Sequence, residues 1–476
     1  MSTHGETLAG EAAGPYASVR AHLIARKFSF RDRPRQEWFA ALAQAGFPGV
    51  LTGCDYRAGL IAALNAAEIF GGFALPLSFA PSLAGAAALA SPDNTAADGL
   101  LADVLAGGRP VLAALQSGAK TMAMGAGMGM TAEAAPGGGL VVSGGRIAVP
   151  DAEHAQAFVT EAKGPDGLIV FLFRADSKGV TFSSAPSHDG GTLGDFVFDN
   201  APVPANDILA RGPAAAAMLD RMRFTVQLGL GAELAGLGAA LVTRAAAAHA
   251  PEAAIEDALM DVTLARAFIF GAAAYAQPCR EHALELIAGA RACASMAALC
   301  AARLALQTVR EDSQKDAAGR LARRALVASR IYRQPEAHKL RFQSWRWGKG
   351  SDESVLQGLF AAAGGGAVGV KPSVALAEVI EADSVLRAAA SHAGAAEDIV
   401  FRDHLGTAEL DLFALVCADA QHQAGEDVSH RFVQAAALRV RRRLAECALT
   451  AAGTDAALAN SPGQAGEVFL NVHALS

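Results

Sequence analysis

Apolar positions change period twice along this chain. Between residues 14 and 107 they recur at helical spacing. "EWFAALAQAGF" (37–47) and "GLIAALNAAEIFGGF" (59–73) place Ala, Leu, Ile and Phe three or four residues apart, and Pro76, Pro81 and Pro92 punctuate the connections. From about Pro110 the runs shorten and become β-rich. "GGLVVSGGRIAVPDA", "GLIVFLFRAD", "GVTFSSAP" and "GDFVFDN", parted by Gly, Pro, Asn and Asp, predict a small antiparallel sheet or barrel. After Gly212 helical spacing returns. One long helix ends before Pro251, "AAIEDALMDVTLARAFIFGAAAYAQ" follows at once, and further helices are predicted at 281–309, 317–333, 353–363, 373–390, 407–421 and 427–452. The pattern is an α+β fold: an N-terminal helical domain (1–109), a β domain (110–209), a C-terminal helical bundle (210–420) and a C-terminal extension (421–476).

Composition sharpens this picture. Of 476 residues, 52% are hydrophobic and 18% charged, and much of the apolar share is alanine, which suits closely packed helices. No run of 18 strongly apolar residues stands out, so no membrane span is expected. The N-terminus has neither a basic nor an apolar leader region, so a cytoplasmic location is expected. A net charge of −7 argues against nucleic acid as a partner of the whole chain. The six cysteines are scattered without a CxxC. Cys293 and Cys300, seven apart on one helix face, are expected to be small buried thiols, and no metal site is expected.

Three local features carry candidate chemistry. "DHLGTAEL" (403–410) reads as a tight loop opening a helix, with Gly406 for the turn and Thr407 as a cap. "MAMGAGMGM" (122–130) lacks a GxxxxGK[ST] pattern and reads as a flexible connection rather than a phosphate loop. Residues 303–349 hold 12 Lys or Arg and four acids, a local balance of +8, with Phe342, Trp345 and Trp347 interleaved. Three readings stand there: a solvated helix face, a surface for CoA phosphates or an acidic partner subunit, and a nucleic-acid surface. In the last segment, Arg439, Arg441, Arg442 and Arg443 read as the basic outer edge of a helix packed on the bundle.

The order of elements, with "FVFDNAPVPANDIL" (196–209), "LGAELAGLGAALVTRAAA", "GGRIAVPDAEHAQAFVTEA" and "FRDHLGTAELDLFALVCADA", resembles the acyl-CoA dehydrogenase family. The resemblance implies FAD between the β domain and the bundle, an acyl-CoA substrate in a slot over the flavin, and a homo- or hetero-oligomer with a related subunit. It implies α,β-desaturation, in which a carboxylate takes the α proton and the flavin takes the hydride. Gly364, Gly365, Gly366, Gly406 and Thr407 are then the candidate cofactor contacts, the triple glycine also reading as a helix stop.

The chain departs from that family where the chemistry is concentrated. Leu405 stands where the family often has the catalytic glutamate before Gly-Thr. The family's second base location falls on Met222 or Val226, neither acidic, which leaves Asp220, Glu233 and Asp403 as substitutes. The Thr-Glu-Pro…Gly-Ser-Asp flavin loop expected near 113–130, and the Arg-x-Gln-Phe-Gly segment after His249, are not reproduced. Besides the desaturase, two alternatives remain: a non-catalytic scaffold subunit of a heteromeric enzyme, and a flavin-dependent monooxygenase of the same fold.

Overall fold

Among the described residues four helices precede the sheet: α1 (Arg35–Gln44), α2 (Tyr56–Gly72), α3 (Phe79–Leu89) and α4 (Asp98–Leu105). The structure, a computed structural model, describes residues 35–44, 46–52, 56–75, 78–90, 97–116, 129–310, 312–332, 335–347, 353–364, 371–392, 399–425 and 428–454. Eight strands follow: β1 (Val111–Ala113), β2 (Thr131–Ala134), β3 (Leu140–Pro150), β4 (Ala157–Gly164), β5 (Gly167–Phe173), β6 (Val180–Pro186), β7 (Thr192–Val203) and β8 (Ile208–Arg211). They form one sheet in the order β6-β7-β3-β2-β4-β5-β8, with β1 paired to β4. The β1–β4 and β2–β4 pairings are parallel, so the sheet is mixed rather than wholly antiparallel as expected. Alternating hydrophobicity specifies which face of a strand is buried, not the direction of its neighbour.

One sheet face closes over a phenylalanine core. Phe158, Phe173, Phe196 and Phe198 contact one another with ring centroids 4.6–5.1 Å apart. Each such ring, fully buried, contributes on the order of 1.5–3 kcal/mol. The other face, with Val111, Val159, Val170 and Leu172, packs against α3 and the first helix of the bundle.

That helix, α5 (Gly212–Ala247), leads α6 (Glu252–Tyr275), α7 (Ala283–Thr308), α8 (Asp312–Arg330) and α9 (Pro335–Trp347). A final group comprises α10 (Glu353–Ala363), α11 (Val374–His392), α12 (Ile399–Gln423) and α13 (His430–Thr454). The α9 helix was not foreseen as a separate element. Small residues set how closely the helices approach. A Cβ built on Gly236 of α5 would lie 1.8 Å from the Glu68 carbonyl oxygen of α2, and one on Gly71 would lie 1.9 Å from that of Glu233. The α2 and α5 backbones therefore touch, and only glycine fits at the crossing.

Contrary to the sequence expectation, α5, α6 and α7 each contain an 18-residue window apolar enough to cross a membrane by length and composition. Most of each window is buried inside the fold, 83%, 67% and 72% respectively. Helices apolar on nearly every side are what a bundle interior requires. The two cysteines of α7 part company: Cys293 is buried and Cys300 is exposed.

Candidate functional site

A cavity of about 820 Å³ opens where helices and sheet meet. One wall is Arg211 at the end of β8 and the first three turns of α5, which present Ala214, Ala217, Met218, Arg221 and Met222 at i, i+3, i+4 spacing. The end of α3 supplies Ala87, Ala88 and Ala90 opposite, β8 supplies Ile208, Leu209 and Ala210, and Leu51, Thr52 and Tyr56 close one side. Alanines leave the space open, while Met218, Met222 and Leu209 give it an apolar back wall.

Its charge has one sign. Arg211 and Arg221 line the cavity, and among the described residues no acidic side chain lines it. Arg211 donates to the Gly138 carbonyl at 3.1 Å and stands at the start of α5, where the helix dipole adds positive potential. The Arg221 guanidinium lies over the Tyr56 ring, 5.7 Å from its centroid. The Tyr56 hydroxyl donates to the Arg221 carbonyl at 2.9 Å and sits 3.2 Å from Thr225 Oγ1. Burial raises the Tyr56 pKa well above the usual phenol range, outweighing Thr225 and Arg221, so the ring stays neutral.

The residues named from sequence are dispersed. Met222 lines the cavity, and Val226 packs in the same apolar cluster one turn further on. Neither can take a proton. Asp220 accepts the Cys279 N–H at 3.1 Å. Glu233 is buried in mid-helix and paired with Arg324 of α8 at 2.6 Å, while Arg324 also holds Asp189 of the β6–β7 turn at 2.6 Å. Burial raises Glu233; at Asp189 the same effect is overcome by Arg324 and the Gly191 N–H, and its pKa is lowered. Asp403 is exposed and paired with Lys339 of α9 at 2.7 Å.

The reading of "DHLGTAEL" as a loop opening a helix is corrected. Helix α12 begins at Ile399 and runs through this stretch without interruption. Leu405 is fully buried in the helical core. Gly406 is the contact point for α9: a Cβ there would lie 1.7 Å from Gln343 Nε2. Thr407 Oγ1 receives the Lys339 ammonium at 2.7 Å and donates to the Asp403 carbonyl at 3.0 Å. A glycine inside a helix mimics a turn in sequence, and only the neighbouring helix reveals its use.

These positions are also candidate cofactor contacts. Gly406 and Thr407 are consumed by packing on α9, and Gly364 ends α10 against α12, with an added Cβ 3.4 Å from the Ala420 carbonyl. Gly365 and Gly366, like residues 117–128 of the expected flavin loop, lie outside the described residues. The described members of the set therefore do not fit FAD.

Two features were missed from sequence. Tyr332, after α8, has a positive φ of 60° and ties three layers together. Its hydroxyl donates to the Ala113 carbonyl at 2.7 Å, its N–H to Gln116 Oε1 at 2.6 Å, and its carbonyl accepts from Gln227 of α5 at 3.3 Å. Second, Glu409 is buried with Asp383 among Arg346 and Arg387, its carboxylate 2.6 Å from the Arg387 guanidinium. Burial, then Asp383, pushes Glu409 up to about 7. The 303–349 segment spends Arg324, Lys339, Arg341 and Arg346 on ion pairs, while Lys315, Arg320, Arg323 and Arg330 stay exposed. Phe342 and Trp345 are buried against Phe413, so they do not interleave with surface charge; Trp347's side chain lies outside the described residues. On α13, Arg439 and Arg443 turn inward to Asp261 and Asp411.

No protein family and no curated protein matches the sequence. Solved structures do match the fold. An acyl-CoA dehydrogenase complexed with FAD from Bacillus anthracis is 14% identical, with a TM-score of 0.67 over 100% of this chain and 92% of that one. A variant of the Tcur3481-Tcur3483 steroid ACAD is 21% identical, with a TM-score of 0.60 over 74% of this chain and 100% of its own. The ChsE4-ChsE5 complex from Mycobacterium tuberculosis is 20% identical, with a TM-score of 0.58 over 72% and 97%. At these identities the likeness establishes the fold.

Proposed function

From the premise that this chain has the acyl-CoA dehydrogenase fold, we propose that it is a ligand-binding subunit that holds an acyl thioester without desaturating it, working beside a related catalytic subunit. The observation that carries this reading is the lining of the 820 Å³ cavity: apolar walls, two arginines and, among the described residues, no carboxylate. An acyl thioester of CoA offers an apolar chain for the walls and phosphates for Arg211 and Arg221. Desaturation needs a base within hydrogen-bond reach of the α carbon. Met222 occupies the cavity wall where the resemblance allows such a base, and Leu405 is sealed in the core.

The chain's own residues thus bind and orient but move no proton. Arg211 and Arg221 attract the anion, Met218 and Met222 exclude water from the buried end, and neutral Tyr56 holds the α5 backbone through the Arg221 carbonyl. A bound flavin would supply hydride acceptance, a task this reading gives to the related subunit. Two-protein names among the structural neighbours, the ChsE4-ChsE5 complex and Tcur3481-Tcur3483, support a paired assembly.

The test is to incubate the purified chain with FAD, an acyl-CoA and an artificial electron acceptor, and to measure both thioester binding and enoyl-CoA formation. Binding without product is expected. Enoyl-CoA made by the chain alone overturns the proposal, as does failure to bind any acyl-CoA.

A further inference from the structure

The layer between sheet and bundle, where the resemblance implies FAD, holds a segment of the chain itself. Ile331 and Tyr332, directly after α8, are 4% and 3% exposed. They share one apolar cluster with Val111, Ala113 and Val159 of the sheet and Met222 and Val226 of α5. The described start of the expected flavin loop, residues 113–116, has its carbonyls engaged. Ala113 accepts from the Tyr332 hydroxyl at 2.7 Å. Ala114 accepts from Arg146 Nε at 3.0 Å and Thr160 Oγ1 at 2.7 Å. Gln116 accepts the Ile147 N–H at 2.9 Å, and its side chain takes the Tyr332 N–H at 2.6 Å. A flavin ring carries N–H and C=O groups on its edge, and a protein holds it with polar groups left free for it. At 113, 114 and 116 those acceptors serve the fold.

The segment is fixed from several sides. Gln227 of α5 donates to the Tyr332 carbonyl at 3.3 Å, and buried Arg291 of α7 donates to the Ala328 carbonyl near the end of α8. Two turns earlier, Arg324 pairs with Asp189 of the β6–β7 turn and with Glu233 of α5, each at 2.6 Å. These contacts pin α8 to the bundle and to the β domain at once. They also hold Tyr332 at a φ of 60°, a conformation that a bulky side chain rarely adopts and that persists only where its surroundings impose it. Burial pushes the Tyr332 phenol pKa up, so the hydroxyl stays a donor to Ala113.

From this geometry we infer that the end of α8 is a built-in plug: Tyr332 stands in the place the fold reserves for a flavin ring, so the chain folds without FAD and excludes it. The inference goes beyond the ligand-binding reading and stands independently of it, because FAD and the thioester are separate probes.

The experiment is equilibrium dialysis of the full-length chain against FAD, with calorimetric titration of dodecanoyl-CoA in parallel. The plug predicts a dissociation constant for FAD weaker than about 100 μM and a melting temperature that FAD leaves unchanged. Tyr332→Gly removes the ring, suits the φ of 60° and leaves an apolar cavity of the lost side chain's shape. Its melting temperature is expected to fall and to be partly regained with p-cresol, which supplies the same ring and hydroxyl. Wild type and Tyr332→Phe are expected not to respond to p-cresol. FAD bound by the wild type tighter than about 100 μM overturns the inference, whatever the thioester does. So does a folded Tyr332→Gly that p-cresol fails to stabilise. If that variant does not fold, FAD dialysis of the wild type decides alone. A chain that binds neither FAD nor the thioester keeps the plug and loses the ligand-binding reading.

Discussion

Placing a glutamate at position 405 discriminates sharply between a flavin-side loop and a packed helix. In a loop beside a cofactor, Leu405→Glu would restore the missing base. In this fold Leu405 is 0% exposed on α12. The substitution forfeits a buried leucine, worth about 2 kcal/mol or more. It also buries a carboxylate one turn from Glu409, which with Asp383 already engages Arg346 and Arg387. An uncompensated buried charge costs about 3–5 kcal/mol. Glu409 lies one turn along the same helix, so a second carboxylate adds like-charge repulsion. The total, on the order of 5–7 kcal/mol, is comparable to the whole stability of many domains. The assay is urea denaturation followed by circular dichroism, with Leu405→Met as the volume-conserving control, expected to cost less than about 1.5 kcal/mol. A Leu405→Glu protein with an unchanged urea midpoint and new enoyl-CoA formation would refute the reasoning.

Other outcomes follow from the same geometry. Gly236→Ala forces a Cβ against the Glu68 carbonyl and is expected to cost about 3 kcal/mol or more, whereas Gly406→Ala displaces only the Gln343 side chain and costs about 1–3 kcal/mol; thermal denaturation ranks them. Arg324→Met leaves Glu233 and Asp189 buried without their cation and is expected to destabilise by about 3–5 kcal/mol, read as a fall in urea midpoint. For Glu409, the folded pKa of about 7 exceeds the ordinary 4.5, so the folded state holds the extra proton between those values. Its contribution therefore weakens as pH rises through that window, and wild type should lose more stability than Glu409→Gln between pH 5 and pH 8. Parallel pH dependence in the two proteins would exclude that role.

Much of the architecture was legible because periodicity reports burial. The 3.6-residue pattern after Gly212 located α5 and its end before Pro251, and the α10 span of 353–363 matches the run in "ESVLQGLFAAA". The short β-rich runs located the sheet, but not the parallel pairing of β1 with β4, which depends on contacts far apart in sequence. The site was less legible for the same reason. Gly406 looked like a turn because glycine serves turns and close helix crossings alike, and nothing local names the partner, Gln343. Glu233, plausible as a free carboxylate on α5, is neutralised by Arg324 from 91 residues away. The cavity itself left only a faint signal: Arg211, Ala214, Ala217, Met218, Arg221 and Met222 share one face of α5, an apolar stripe edged by two cations. No periodicity could show that α3 and β8 stop short of filling the space opposite.

The central claim, that the cavity beside the start of α5 is the acyl-thioester site, is tested most directly by blocking it. Ala214→Trp places a large ring in the mouth from an exposed position, without disturbing the core. The account predicts that its dissociation constant for an acyl-CoA rises by about tenfold or more while the melting temperature stays at the wild-type value. An unchanged dissociation constant would contradict it and put the ligand elsewhere on the molecule.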